Sequence, residues 1–140
     1  MPSPSMNFDD PSSRDTIIEN WSMFGCPIRP GREEILLFQK KLKSIKEPRV
    51  LILGCTPELV DMVLEENPLR VTIMDWFPPN IAAMKKMAAK NWPRVEVIIR
   101  DWRTPLDDLK DRYNIVLGDG PFTFLGFPED YLLICRNLNR

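Results

Sequence analysis

Four apolar runs in this chain stop on glycine or on an acid. Val50–Leu53 runs into Gly54, Val71–Met74 into Asp75, Val95–Ile99 towards Asp101, and Tyr113–Leu117 into Gly118-Asp119-Gly120. Such runs read as parallel strands buried on both faces, and in parallel sheets ligands collect beyond the carboxyl ends of the strands. The residue types at those ends suit a nucleoside. A carboxylate accepts from the ribose hydroxyls, an apolar wall receives the base, and a polar partner takes the exocyclic amine. Asp75-Trp76-Phe77 offers the first two, and Asp101-Trp102 offers the third with another aromatic wall. Asp75 follows Gly54 at the interval, about 20 residues, of the ribose-binding acid in dinucleotide folds. The turn Gly54-Cys55-Thr56-Pro57-Glu58-Leu59 does not suit a pyrophosphate. It keeps only the first of the needed glycines, and Pro57 removes an amide donor at the helix start where an anion would sit. A phosphate-free nucleoside is therefore expected, and a NAD-type dehydrogenase is disfavoured.

The composition narrows the chemistry further. The chain has 140 residues and no histidine, which excludes Ser-His-Asp and Cys-His nucleophile systems, histidine zinc sites and imidazole acid-base steps. The cysteines are Cys26, Cys55 and Cys135, an odd number without a C-x-x-C pair, so no metal site is expected and reduced thiols in a cytoplasmic protein are the natural reading. No cation flanks Cys55 in sequence to activate it as a nucleophile. Lys plus Arg is 19 and Asp plus Glu is 20, so the total carries no basic footprint for nucleic acid or an anionic membrane. No apolar run approaches the 18 or so residues of a membrane span. An apolar share of 44% and a charged share of 28% fit one globular domain.

The elements that must position these residues are marked by 14 prolines at intervals between the apolar runs. Residues 1–13, rich in Pro, Ser and Asp, read as a flexible arm, and 14–47 as two N-terminal helices. The first carries Ile17, Ile18, Trp21 and Phe24 behind a Ser13 or Asp15 cap. Packing of that helix onto the sheet is favoured over a lid formed by Trp21 and Phe24. The second starts near Arg32, with Lys40, Lys41, Lys43 and Lys46 in its later turns, where helix carbonyls favour cations. Residues 48–140 then alternate strand and helix. Pro57 stands at a first helical position behind a Thr56 cap, Pro78-Pro79 opens another helix, Pro105–Lys110 a short turn, and Pro128 a last helix. The rhythm predicts an α/β, mostly parallel sheet.

In order and spacing, Val50–Gly54, Val71–Asp75, Val95–Asp101 and Asn114–Gly120 resemble motifs I to IV of class I S-adenosylmethionine-dependent methyltransferases. The Gly54-Cys55-Thr56-Pro57-Glu58 turn is similar to that of a methyltransferase-like subgroup with T-P-E at this place. The resemblance covers about residues 32–140. It implies a Rossmann-like sheet with strand order 3-2-1-4 and S-adenosylmethionine as cofactor, with S-adenosylhomocysteine as product. Gly54 and Cys55 would lie against the methionine part, and Thr56 and Glu58 would border its amino-acid end. Asp75 would accept the ribose hydroxyls, Trp76 or Phe77 would flank the adenine, and Asp101 and Trp102 would receive the adenine amine and edge. Asp119 and Gly120 would line the space near the transferred methyl, with Asp119 the candidate general base. The family's sheet has seven strands ordered 3-2-1-4-5-7-6, so the resemblance also implies a truncated fold, incomplete after the fourth strand and its helix.

The functional expectation is methyl transfer to a small-molecule acceptor, neither nucleic acid nor membrane. The alternative is a non-catalytic methyltransferase-like domain acting as a cofactor-binding or protein-interaction module. Strand four would be an unbroken apolar edge, a liability unless covered, and a homodimer or a partner protein is expected to cover it.

Overall fold

The computed structural model describes residues 19–25, 29–88, 92–120 and 125–139. The expected arm, the start of the first helix (Ser13, Asp15, Ile17 and Ile18) and Cys26 lie outside these. Strands β1 (Arg49–Leu53), β2 (Arg70–Asp75), β3 (Val95–Ile99) and β4 (Ile115–Gly118) form one parallel sheet ordered β3-β2-β1-β4. Helices α1 (Arg32–Lys43), α2 (Pro57–Glu65), α3 (Pro78–Met87) and α4 (Glu129–Leu138) surround it. The architecture is α/β and Rossmann-like, as the strand–helix rhythm predicts. Of the expected short first helix, the described residues include helical Glu19 and the 3-10 turn Trp21–Met23.

Burial on both faces accounts for the continuous apolar runs of β1 and β2 but not for that of β3, an edge strand where Val97 and Ile99 are exposed. In β1, Val50, Leu51, Ile52 and Leu53 are all buried, and in β2 Val71, Ile73 and Met74 are. Alternation divides them. Val50, Ile52, Val71, Ile73, Ile115 and Leu117 share one cluster with Leu42 of α1, Leu59 and Val63 of α2, and Ile81 and Met84 of α3. Leu51, Leu53 and Met74 join Trp102, Leu106, Leu109 and Ile134 of α4 in a separate cluster. Three helices therefore cover one face, and α4 with the 3-10 turn Asp107–Leu109 covers the other. Pro57 and Pro78 each start a helix at a position whose N–H has no intrahelical partner.

The crossover from β3 to β4 holds only that short turn, so α4 must be fixed to the sheet by another device. Its buried Asn137 donates through Nδ2 to the carbonyls of Arg103 and Thr104, at 3.1 and 3.0 Å. One side chain thus satisfies loop carbonyls that have no ladder partner and clamps the helix over the strand ends. On the same face Thr72, fully buried in β2, accepts from the Tyr113 hydroxyl at 2.9 Å and donates to Glu96 at 3.3 Å.

The two sheet edges differ in character. β3 carries Glu96, ion-paired with Arg112 at 3.0 Å and Arg70 at 3.6 Å, a charged device that blunts an edge. β4 carries no charged residue, and Val116 in its middle is 37% exposed. Among the described residues no helix is long and apolar enough to cross a membrane. The clamp has a measurable weight: Asn137→Ala removes the donor from part-buried carbonyls and should destabilise the fold by about 0.5–1.5 kcal/mol, read as a lower urea midpoint at unchanged slope.

Candidate functional site

The turn after β1 is shaped by Gly54, whose φ of +89° only glycine adopts without strain. Its N–H donates to the Met74 carbonyl of β2 at 2.9 Å. The Trp102 indole N–H donates to the same oxygen, also at 2.9 Å. The indole ring lies 3.8 Å from where a Gly54 Cβ would stand. One carbonyl therefore ties the ends of β1 and β2 to the loop beyond β3. Trp102 is buried, with its indole N–H on Met74, so what it presents outward is ring surface.

On the β2–β3 side, Asp75 is 4% exposed. Its Oδ1 accepts from Phe77 N–H at 2.9 Å and its Oδ2 from Asn80 Nδ2 at 3.4 Å, so the acid also braces the start of α3. Trp76, by contrast, is 53% exposed, its ring tilted at 49° to that of Phe77 with centroids 5.8 Å apart. Asp101 accepts from its neighbour Arg103 through the backbone N–H at 2.9 Å and through the guanidinium at 2.6–3.1 Å. That fork is the main reason its carboxyl is held below the usual range. Trp76, Asp101, Trp102, Arg103 and Leu125 line a small open cavity of about 90 Å³. This is well below the roughly 300–1,000 Å³ of an ordinary small-molecule pocket. It has room for a planar ring, with the rest of a ligand lying along the open strand ends.

On the β1–β4 side the groups are acidic. Cys55 is buried and its thiol is pushed up to about 12, first by burial and then by the nearby Asp75 charge. It is a packing residue without nucleophilic character. Thr56 stands at the cap of α2, and its carbonyl accepts Val60 N–H at 3.1 Å. Glu58, in the first turn of α2, accepts the indole N–H of buried Trp21 at 3.0 and 3.2 Å on its two oxygens and the Arg29 Nε–H. Trp21 belongs to the core cluster of β1 and β4, which agrees with packing onto the sheet and not with a free lid. Glu34, in the first turn of α1, accepts Gly31 N–H at 2.8 Å. Asp119, half-buried beyond β4, is raised to about 6, first by burial and then by the charges of Glu34 and Glu58. Exposed Gly120 follows with φ +63°.

The structure thus divides the expected residues into an aromatic half (Trp76, Asp101, Trp102) and an acidic half (Glu58, Asp119), with Gly54, Cys55 and Asp75 between them. Arg29, Glu34, Arg103 and Leu125 join them without having been expected. Arg103 had a signal, two residues from an acid; Arg29 and Glu34 had none, because their placement depends on long-range packing. Among the described residues no group of three or more Cys, Asp or Glu side chains is arranged to hold a metal ion. The chain matches no family model, no curated protein and no solved structure.

Asp119 gives this site a pH signature. With a folded value of about 6 against an ordinary 3.8, the folded state holds the extra proton between these limits. Its contribution to stability falls as pH rises through that window and stays low above it. Asp119→Asn should therefore melt above the wild type at pH 8 and level with it at pH 4; a constant difference across that range would contradict the shift.

Proposed function

We propose that the carboxyl edge of the sheet binds S-adenosylmethionine and that the chain transfers its methyl group to a small-molecule acceptor. The observation that carries this reading is the buried Asp75 carboxylate at the end of β2, beside a ring-sized cavity walled by Trp76 and Trp102. In kind, these residues fit an adenosine. Asp75 would take the ribose hydroxyls, the cavity the base, and Asp101 its exocyclic amine once Arg103 shares an oxygen. The acidic half argues against a pyrophosphate and suits a sulfonium, because Glu34, Glu58 and Asp119 place negative charge where phosphates would have to lie. The bound cofactor would supply an electrophilic methyl group for in-line attack. The chain's share would be proximity and orientation, which contribute roughly 7–11 kcal/mol in well-ordered reactions. A carboxylate with a value of about 6 is matched to general-base work near neutral pH, so Asp119 would take the proton from a hydroxyl or ammonium acceptor.

A second reading, a domain that binds the nucleoside or a protein partner without turnover, is favoured by the small volume of the cavity. Methyl transfer from labelled cofactor, tested against the wild type and Asp119→Asn, separates the two. In either reading a second copy is the proposed cover for β4, because that edge has none of the charges that guard β3. Light scattering at tens of micromolar that returns only monomer removes the dimer.

The binding claim is tested by calorimetric titration with S-adenosylmethionine and S-adenosylhomocysteine. Asp75→Asn, which keeps the acceptor for Phe77 N–H, should weaken both at least tenfold without unfolding the chain. Equal binding by the variant, or none by a folded wild type, defeats the proposal.

A further inference from the structure

We propose that Arg103 sets the specificity of the aromatic cavity by an exchange between two acids: it occupies Asp101 while the cavity is free and passes to Asp130 when a ligand presents an N–H donor. The inference rests on the nucleoside reading above and concerns how that site discriminates between bases.

Both oxygens of Asp101 are taken by its neighbour. Oδ1 accepts the Arg103 backbone N–H at 2.9 Å and Nε–H at 3.0 Å, and Oδ2 accepts Nε–H at 3.1 Å and Nη2–H at 2.6 Å. An ionised carboxylate has about four lone-pair sites, so an amine entering the cavity finds no acceptor there until the guanidinium lets go. The loop backbone is not free to make room. Thr104 donates through its N–H and its hydroxyl to the Asp101 carbonyl at 3.1 and 2.7 Å, and Asn137 holds the Arg103 and Thr104 carbonyls from α4. The Arg103 side chain is the movable part. It is 48% exposed, and an ion pair in that setting is held weakly enough to exchange.

A second carboxylate stands within reach. Asp130 Oδ2 lies 3.7 Å from Nη1, the guanidinium nitrogen that donates to neither oxygen of Asp101. That separation makes an ion pair but is too long for a hydrogen bond, so the contact can tighten only as the fork leaves Asp101. Asp130 is itself fixed. It sits in the first turn of α4, and its Oδ2 accepts Gly126 N–H at 2.9 Å. Gly126 follows Leu125, which lines the cavity together with Asp101 and Arg103. The exchange therefore takes place at the cavity wall, and the guanidinium goes from one acid to the other without being left unpaired. A base with an exocyclic amine drives the exchange, because its donor takes the place of the fork on Asp101. A base without one leaves the fork where it is and gains no bond. Arg103 and Asp130 thus set the preference for the amine along with Asp101.

The experiment is calorimetric titration with adenosine and with purine riboside, which lacks the exocyclic amine. The proteins are the wild type, Arg103→Met, which keeps the apolar stem without donors, Asp130→Asn, which keeps an acceptor for Gly126 N–H, and the double variant. The wild type should prefer adenosine. Arg103→Met should raise that preference at least threefold and Asp130→Asn should lower it at least threefold, each with purine riboside unchanged. In the double variant the Asp130 substitution should have no further effect, because its action runs through Arg103. Weaker adenosine binding by Arg103→Met makes the guanidinium a direct ligand contact and overturns the exchange. An Asp130→Asn effect that persists in the double variant, or that falls equally on purine riboside, overturns it too. Unaltered preferences in all variants refute the exchange and leave the nucleoside site standing, whereas a folded wild type that binds neither compound defeats both. Should Arg103→Met melt early, Arg103→Gln decides: with two donors and no charge it should shift the preference in the same direction, and no shift refutes the proposal.

Discussion

The Met74 carbonyl accepts two hydrogen bonds from parts of the chain that have no other reason to meet. Gly54 N–H reaches it from the β1 turn, and the Trp102 indole N–H from beyond β3, each at 2.9 Å. A carbonyl has two lone pairs, and using both leaves no polar group unsatisfied under the buried indole. The positive φ at Gly54 is what aims the turn past the ring, and the ring stands in ordinary contact with the turn. Everything proposed for the site is arranged about this joint. Asp75 follows Met74 directly, Cys55 follows Gly54, and the ring-sized cavity opens on the outer side of Trp102.

The joint also divides the edge into two electrostatic territories. Towards β3 the exposed acid is matched by an arginine: Arg103 pairs with Asp101 at 2.6 Å, and with Asp130 at 3.7 Å, beside aromatic surface. Towards β4 the Arg29 guanidinium is held by Glu58, and burial first, then the charges of Glu34 and Glu58, raise the Asp119 carboxyl to about 6. A flat, weakly polar group belongs to the first territory and a positively charged one to the second. A ligand with a base at one end and a cationic or zwitterionic group at the other satisfies both.

How the second face of the sheet is covered follows from the short β3–β4 connection. With only the Asp107–Leu109 turn in the crossover, the space over β1 and β2 is open to α4, which enters it with Ile134 fully buried. Apolar burial has little directionality, and Asn137 supplies the direction through its bonds to the Arg103 and Thr104 carbonyls. The cavity floor is thus held from beneath by α4 and from the side by Met74. On the β4 edge Val116 stays partly exposed among the described residues.

Local signals in the chain specify the elements and the edge that carries the polar strand ends. Period, proline placement and strand-end residues are local signals. They placed β1 to β3 and the starts of α1 to α3 within a residue or so, and pointed to Gly54, Asp75, Asp101 and Asp119 together. Tertiary structure decided the rest. Trp21 meets Glu58 across 37 residues, Arg29 meets it across 29, and Asn137 meets Arg103 across 34. No local pattern encodes such pairs, because each depends on how separate elements pack once their apolar faces are buried. The same holds for Trp102, whose position after an acid suggested a binding wall but whose indole N–H was claimed by a strand carbonyl 28 residues away. The raised Asp119 carboxyl is a property of assembly as well, since neither burial nor the field of Glu34 and Glu58 exists before α1, α2 and β4 come together.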